Sequence, residues 1–117
     1  MNPIPFRVID WNPLGTTESK GQSGTAFSKC LSFDGLRVRI VSYSKGYLAD
    51  HWCSKGHIVH CLEGEFTSEQ ADGTSFLLKE GMTYIVSDNV STHRSTTKEG
   101  VKLLIIDGEF LKPDSHE

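Results

Sequence analysis

The chain has 117 residues, 12 Lys plus Arg against 15 Asp plus Glu, and a net charge of −3. That length predicts a single domain, 1–117. The mild acidity excludes the basic footprint of a nucleic-acid binder, and the longest wholly apolar run, Leu103–Ile106, falls far short of the roughly 18 residues of a membrane span.

The N-terminus reads Met-Asn-Pro-Ile-Pro-Phe-Arg, without the apolar stretch and small residues of a signal peptide. Cys30, Cys53 and Cys61 make an odd count, which points to a reducing, cytoplasmic setting with free or metal-bound thiols.

Period-two hydrophobicity dominates in chain order. Ile4, Phe6 and Val8 alternate with Pro5 and Arg7 and predict a first strand. Residues 12–25 are polar and rich in Gly, Ser and Thr, the composition of a flexible surface loop, with a swapped arm or a lid as the alternative. Phe27, Leu31 and Phe33 mark the next strand, and Leu36, Val38 and Ile40 the one after. Arg37 and Arg39 would then lie on a solvated or interface face. Asp34-Gly35 between these runs, and Asp72-Gly73 later, predict tight hairpins with positive φ at both central residues.

Residues 58–62, 75–78, 82–86 and 101–106 are further strands by composition. Glu63-Gly64, Glu80-Gly81, Asp88-Asn89 and Glu99-Gly100 punctuate them as turns. The tail from Lys112 to Glu117 is expected to fray. No segment sustains a helical apolar stripe, so the fold class is all-β, a sandwich or barrel.

The densest chemistry is the string GYLADHWCSKGHIVHCLEGEF, which places His51, Cys53, His57, His60 and Cys61 close together. If the chain is extended here, His51 and Cys53 share a face, and a turn through Ser54-Lys55-Gly56 brings His57 back toward them. Imidazole and thiolate suit zinc and other borderline or soft metals. His60 falls on the opposite face of its strand, and Cys61 reads as a small buried hydrophobe. Asp50, next to His51 on an extended chain, would point away from it.

Gly46-x4-His51-x-Cys53-x3-His57-x6-Gly64 resembles the first motif of the cupins, G-x5-H-x-H-x3,4-E-x6-G. Gly81-x5-Ser87-x-Asn89-x3-His93 resembles their second, G-x5-P-x-G-x2-H-x3-N. Asp50-His51-Trp52-Cys53 is similar to the signature of a group of small one-domain cupins, and the likeness spans 46–107. Cys53 stands where the family has its second His, His57 where it has Glu, and Thr97 where it has Asn. Asn89 replaces a Gly, a substitution that left-handed backbone angles tolerate.

The resemblance implies an antiparallel jelly-roll β-barrel with a divalent transition metal held by His51, Cys53, His57 and His93. Without a carboxylate, that set favours zinc, with iron, nickel or copper as alternatives, over Mg²⁺ or Ca²⁺. It implies a small metal-binding barrel whose inner pocket takes a small organic ligand or substrate. Four protein ligands would instead close the site, as in a non-catalytic binding or sensing barrel. Apolar side chains on both faces of 57–62 suggest a homodimer.

Overall fold

Antiparallel strands account for nearly all regular structure in the computed structural model of the chain, which describes residues 3–113. Eight strands run in chain order: β1 Thr17–Lys20, β2 Thr25–Phe33, β3 Leu36–Tyr43, β4 His57–Gln70, β5 Ser75–Lys79, β6 Thr83–Val86, β7 His93–Thr96 and β8 Val101–Gly108. A short 3-10 turn, Glu109–Leu111, follows. The segment from Asp114 onward, most of the tail expected to fray, lies outside the described residues.

One layer is ordered β1-β2-β3-β8-β4, with β6 on the far side of β4. The second is built on the far half of β4, flanked by β5 and β7. β4 therefore belongs to both layers. A register shift between Cys61 and Glu63 makes this possible. Before it His57, Val59 and Cys61 face inward; after it Phe66 and Ser68 do, so the inward set switches from odd to even positions. An inserted residue in a period-two element has that effect.

Gly64 sits at this corner with φ 81°, and a Cβ there would lie 2.5 Å from the carbonyl oxygen of Gly100. Glu63-Gly64 is thus a bulge inside one long strand rather than the turn its composition suggests.

The core forms where the layers face each other: Val41, Val59, Cys61, Phe66, Leu78, Val101, Leu103 and Ile105, with Tyr43 and Tyr84 packed against it. Every second residue of β8 from Val101 to Asp107 is buried, the pattern of a strand with one face inward.

Several expectations are corrected. Residues 4–8 form no strand; Pro3 and Pro5 remove backbone donors, and Phe6 and Val8 are 95% and 78% exposed. The polar 12–25 segment contains β1, paired with β2 from Thr17↔Ser28 to Lys20↔Thr25. An edge strand exposed on both faces carries no hydrophobic alternation to announce it. At the hairpins only Gly35 and Gly73 take positive φ, at 79° and 96°, while among the described residues Asn89, at 64°, is the sole non-glycine to do so. In the second hairpin Asp72 accepts from the Thr74 amide instead, which needs no left-handed Asp.

Phe66 fills the junction of the two layers. Phe66→Ala should therefore lower the unfolding free energy by about 3–5 kcal/mol, measured by urea denaturation.

Candidate metal centre

Cys53 and His93 form a cross-strand pair between the loop after β3 and the start of β7. The Cys53 amide donates to the His93 carbonyl at 2.8 Å, and the His93 amide to the Cys53 carbonyl at 2.9 Å. Residues bonded reciprocally across an antiparallel pair project their side chains to the same side. His57, opening β4, approaches from the other layer, with its ring 5.5 Å from that of His93 at 69°.

The turn between Cys53 and His57 is clamped. The Gly56 amide donates to Asp88 Oδ1 at 2.6 Å, and a Cβ on Gly56 would lie 2.6 Å from the Asp88 amide nitrogen and the Val86 carbonyl oxygen. Asn89, in its left-handed conformation, donates its amide to the Ser54 carbonyl.

The result is a compact donor cluster. The Cys53 sulfur and one ring nitrogen each of His57 and His93 lie within 4.8 Å of one another. Cys53 Sγ is 3.8 Å from His57 Nε2. His57 Nδ1 donates to Asp107 Oδ1 at 3.2 Å, which leaves the Nε2 lone pair for the cavity. Ser91 Oγ binds His93 Nδ1 at 3.0 Å, so His93 Nε2 also faces inward. That nitrogen is buried and has no hydrogen-bond partner.

Asp107 is only 2% exposed. Burial alone would raise its pKa, but the His57 hydrogen bond, the Arg39 charge and Arg37 outweigh it, and the carboxyl is held well below its ordinary range. Arg37 donates Nε and Nη2 to Oδ2 at 2.9 and 2.6 Å, and Arg39 Nη2 lies 3.5 Å from Oδ1. A carboxylate behind a ligating imidazole fixes its tautomer and raises its basicity.

Burial, then repulsion from His57, lowers the His93 pKa, which keeps that ring neutral at neutral pH. Around the cluster lies a cavity of about 290 Å³. Val59, Leu103 and Ile105 form its apolar wall, and Tyr43 and Tyr84 add phenols. Burial and neighbouring Tyr47 push the Tyr43 hydroxyl up to about 12; burial and Tyr43 push Tyr84 up too, so both stay protonated donors.

Of the four ligands expected from sequence, the structure gathers Cys53, His57 and His93. It leaves His51 outside the cluster. The His51 side chain is 76% exposed, and its Nδ1 lies 2.6 Å from Asp50 Oδ1. The physical reason is that residues 49–53 are not a regular strand, so the alternation that would align His51 with Cys53 does not hold. The same irregularity lets Asp50 reach its neighbour. His60 faces the opposite side and bonds Thr83 Oγ1, and Cys61 is buried in the core.

Sequence reasoning missed Asp107, Arg37 and Arg39. Arg37 and Arg39 share the inward face of β3 with Val41 and Tyr43, and Arg37 pairs with Asp107 across the sheet. The available signal was parity: Asp107 continues the inward series Leu103, Ile105.

No protein-family model and no curated protein matches the chain. Solved structures do. An RmlC-like cupin from Shewanella frigidimarina superposes with a TM-score of 0.70 at 18% identity, over 89% of this chain and 91% of that one. The fold is that of the cupins. A predicted oxalate decarboxylase from Thermotoga maritima gives 0.71 at 12% identity, over 87% and 99% of the two chains. Ectoine synthase from P. lautus gives 0.70 at 16%, over 88% and 78%. In this cupin fold the donor cluster lies between the layers, at the cavity.

Two titrations set the acid response of the metal-free protein. Asp107 has a folded pKa below its unfolded one, so its contribution is complete above pH ~4 and is lost as pH falls through and below that value. His93 is likewise depressed, so stability also falls as pH drops below ~6.5, where the unfolded chain takes up the proton first. Urea denaturation at pH 7.5, 5.5 and 3.5 should show a stepwise loss, with the His93→Gln variant lacking the step between the first two.

Proposed function

We propose that this cupin holds a divalent transition metal on Cys53, His57 and His93, and that its cavity receives a small organic molecule at the metal's open position. The supporting observation is His93 Nε2, a buried nitrogen with no partner that faces a thiol and a second imidazole. An unsatisfied buried polar atom costs about 1–3 kcal/mol, and a bound cation removes that cost.

Two nitrogens and one sulfur fit zinc first, and iron, nickel or copper next, and fit Mg²⁺ and Ca²⁺ poorly. When bound, such an ion acts as a Lewis acid toward a ligand oxygen or water. The chain's own residues do the rest. Asp107 orients His57, Ser91 orients His93, the apolar wall limits water, and the phenols of Tyr43 and Tyr84 offer neutral donors. The three free cysteines suit the reducing cytoplasm inferred from sequence.

A second reading has one supporting observation: His51 stands at the edge of the same cavity. If its loop swings inward, a fourth ligand closes the site, and the barrel senses or stores metal rather than acting on a substrate.

Protein purified without chelators should carry close to one metal ion per chain by mass spectrometry of the metals. Its Co²⁺ form should show a thiolate charge-transfer band. Cys53→Ser should abolish the band, and Asp107→Asn should weaken metal affinity about 10–100-fold. His51→Ala should leave the cobalt spectrum unchanged; an altered spectrum selects the second reading. No bound metal in the wild type sinks both.

Pairing with a second copy remains part of the proposal. Phe76, Leu77 and Ile85 are exposed on β5 and β6, each of which is paired only to β4 among the described residues. Light scattering at micromolar concentration should give twice the chain mass.

A further inference from the structure

A second buried polar atom without a partner belongs to a residue of the cavity wall. Arg39 Nε is buried without a hydrogen-bond partner, although the Arg39 side chain as a whole is 23% exposed and lines the cavity. Its Nη2 reaches Asp107 Oδ1 only at 3.5 Å, and His57 Nδ1 lies 3.2 Å from that same oxygen. The guanidinium and the ligating imidazole are thus neighbours on one carboxylate oxygen. Arg37 already neutralises that carboxylate through two short bonds to Oδ2. Arg39, whose one side-chain hydrogen bond among the described residues is the long contact to Asp107, consequently brings to the cavity wall a positive charge and unengaged guanidinium N–H groups.

The other charges balance in the same direction. Arg94 is paired with Glu69 at 2.8 Å, and Asp50 is the one carboxylate among the described lining residues, set against Arg39 and Lys55. Lys55 also borders the cavity, and no described carboxylate lies within ion-pair distance of its ammonium. The cavity is therefore locally cationic in a chain of net charge −3, before any metal charge is added.

We propose that the ligand of this cavity is a small organic carboxylate, with the Arg39 guanidinium binding its anionic end. The inference rests on the metal reading for what the rest of the ligand meets. Arginine presents donors matched to a carboxylate. The apolar wall beside the guanidinium favours a carboxylate that carries a hydrocarbon body over inorganic phosphate. Val59, Leu103 and Ile105 match a hydrocarbon body, and about 290 Å³ admits a molecule of metabolite size. Arg39 is a binding residue here, and its role is separable from that of the metal ligands.

The test compares benzoate with its uncharged counterpart benzamide, and with inorganic phosphate, by NMR titration of the zinc-loaded protein. Benzoate should bind roughly tenfold or more tighter than either. Arg39→Gln should erase that preference while zinc stoichiometry stays at the wild-type value, and Arg39→Lys should restore part of it. Equal affinity for benzoate and benzamide in the wild type overturns the proposal, as does phosphate binding as tightly as benzoate. Both comparisons stand even if the Gln variant fails to fold. If the protein takes up no zinc, the metal reading fails separately. The same titration on the metal-free protein then decides: a benzoate preference upholds the Arg39 site, and its absence overturns it.

Discussion

The Asp107 carboxylate ties three strands and the site together. It is almost fully buried at the end of β8, and it accepts from His57 on β4 and from Arg37 and Arg39 on β3. A charge buried this deeply is tolerated only with partners that replace water. Each partner gains a fixed orientation. His57 is held with Nε2 toward the cavity, Arg37 becomes a structural counter-ion, and Arg39 is drawn close enough to line the pocket without being saturated. Removing the carboxylate would leave two arginines and a histidine in one buried neighbourhood, so this single acid sets both the electrostatics and the geometry of the site.

The long β4 strand supplies the second constraint. One residue of register shift at the corner lets the same strand carry His57 and Val59 into one layer and Phe66 and Ser68 into the other. The layers close on each other around this strand, which places His57 opposite the Cys53–His93 pair. Chain continuity alone would not bring a loop residue, a β4 residue and a β7 residue to one point. The two backbone hydrogen bonds of the Cys53–His93 pair and the clamp on Gly56 complete the convergence.

Two buried atoms without partners, His93 Nε2 and Arg39 Nε, belong to residues of the same cavity wall. One offers a lone pair and the other a proton, so the two call for partners of opposite character. A cation beside the first and an anion beside the second is the arrangement we propose. It accounts for a polar interior in a domain this small, where each buried polar group subtracts from a limited core.

Much of the fold was legible from residue order. Alternation marked the strands, and in β8 it also followed the buried face, but in β3 it pointed the wrong way: Leu36, Val38 and Ile40 lie opposite the inward Arg37, Arg39 and Val41. The cupin spacing of Gly46, His57, Gly64, Gly81 and His93 carried the barrel. Where a strand has no buried face, as in β1, or where prolines disrupt an apolar alternation, as in residues 3–8, the same signal failed in both directions.

At the site, sequence determined the donor types, nitrogen and sulfur, and named Cys53, His57 and His93. Only the tertiary structure set His51 apart from the other three, because side-chain direction in a loop is set by its contacts rather than by its position in the chain. Only the tertiary structure, likewise, turned Arg37, Arg39 and Asp107 from a solvated strand face and a strand end into the pocket's charged wall. Which face of β3 is inward depends on its register with β8, and that register is a relation between residues about seventy positions apart.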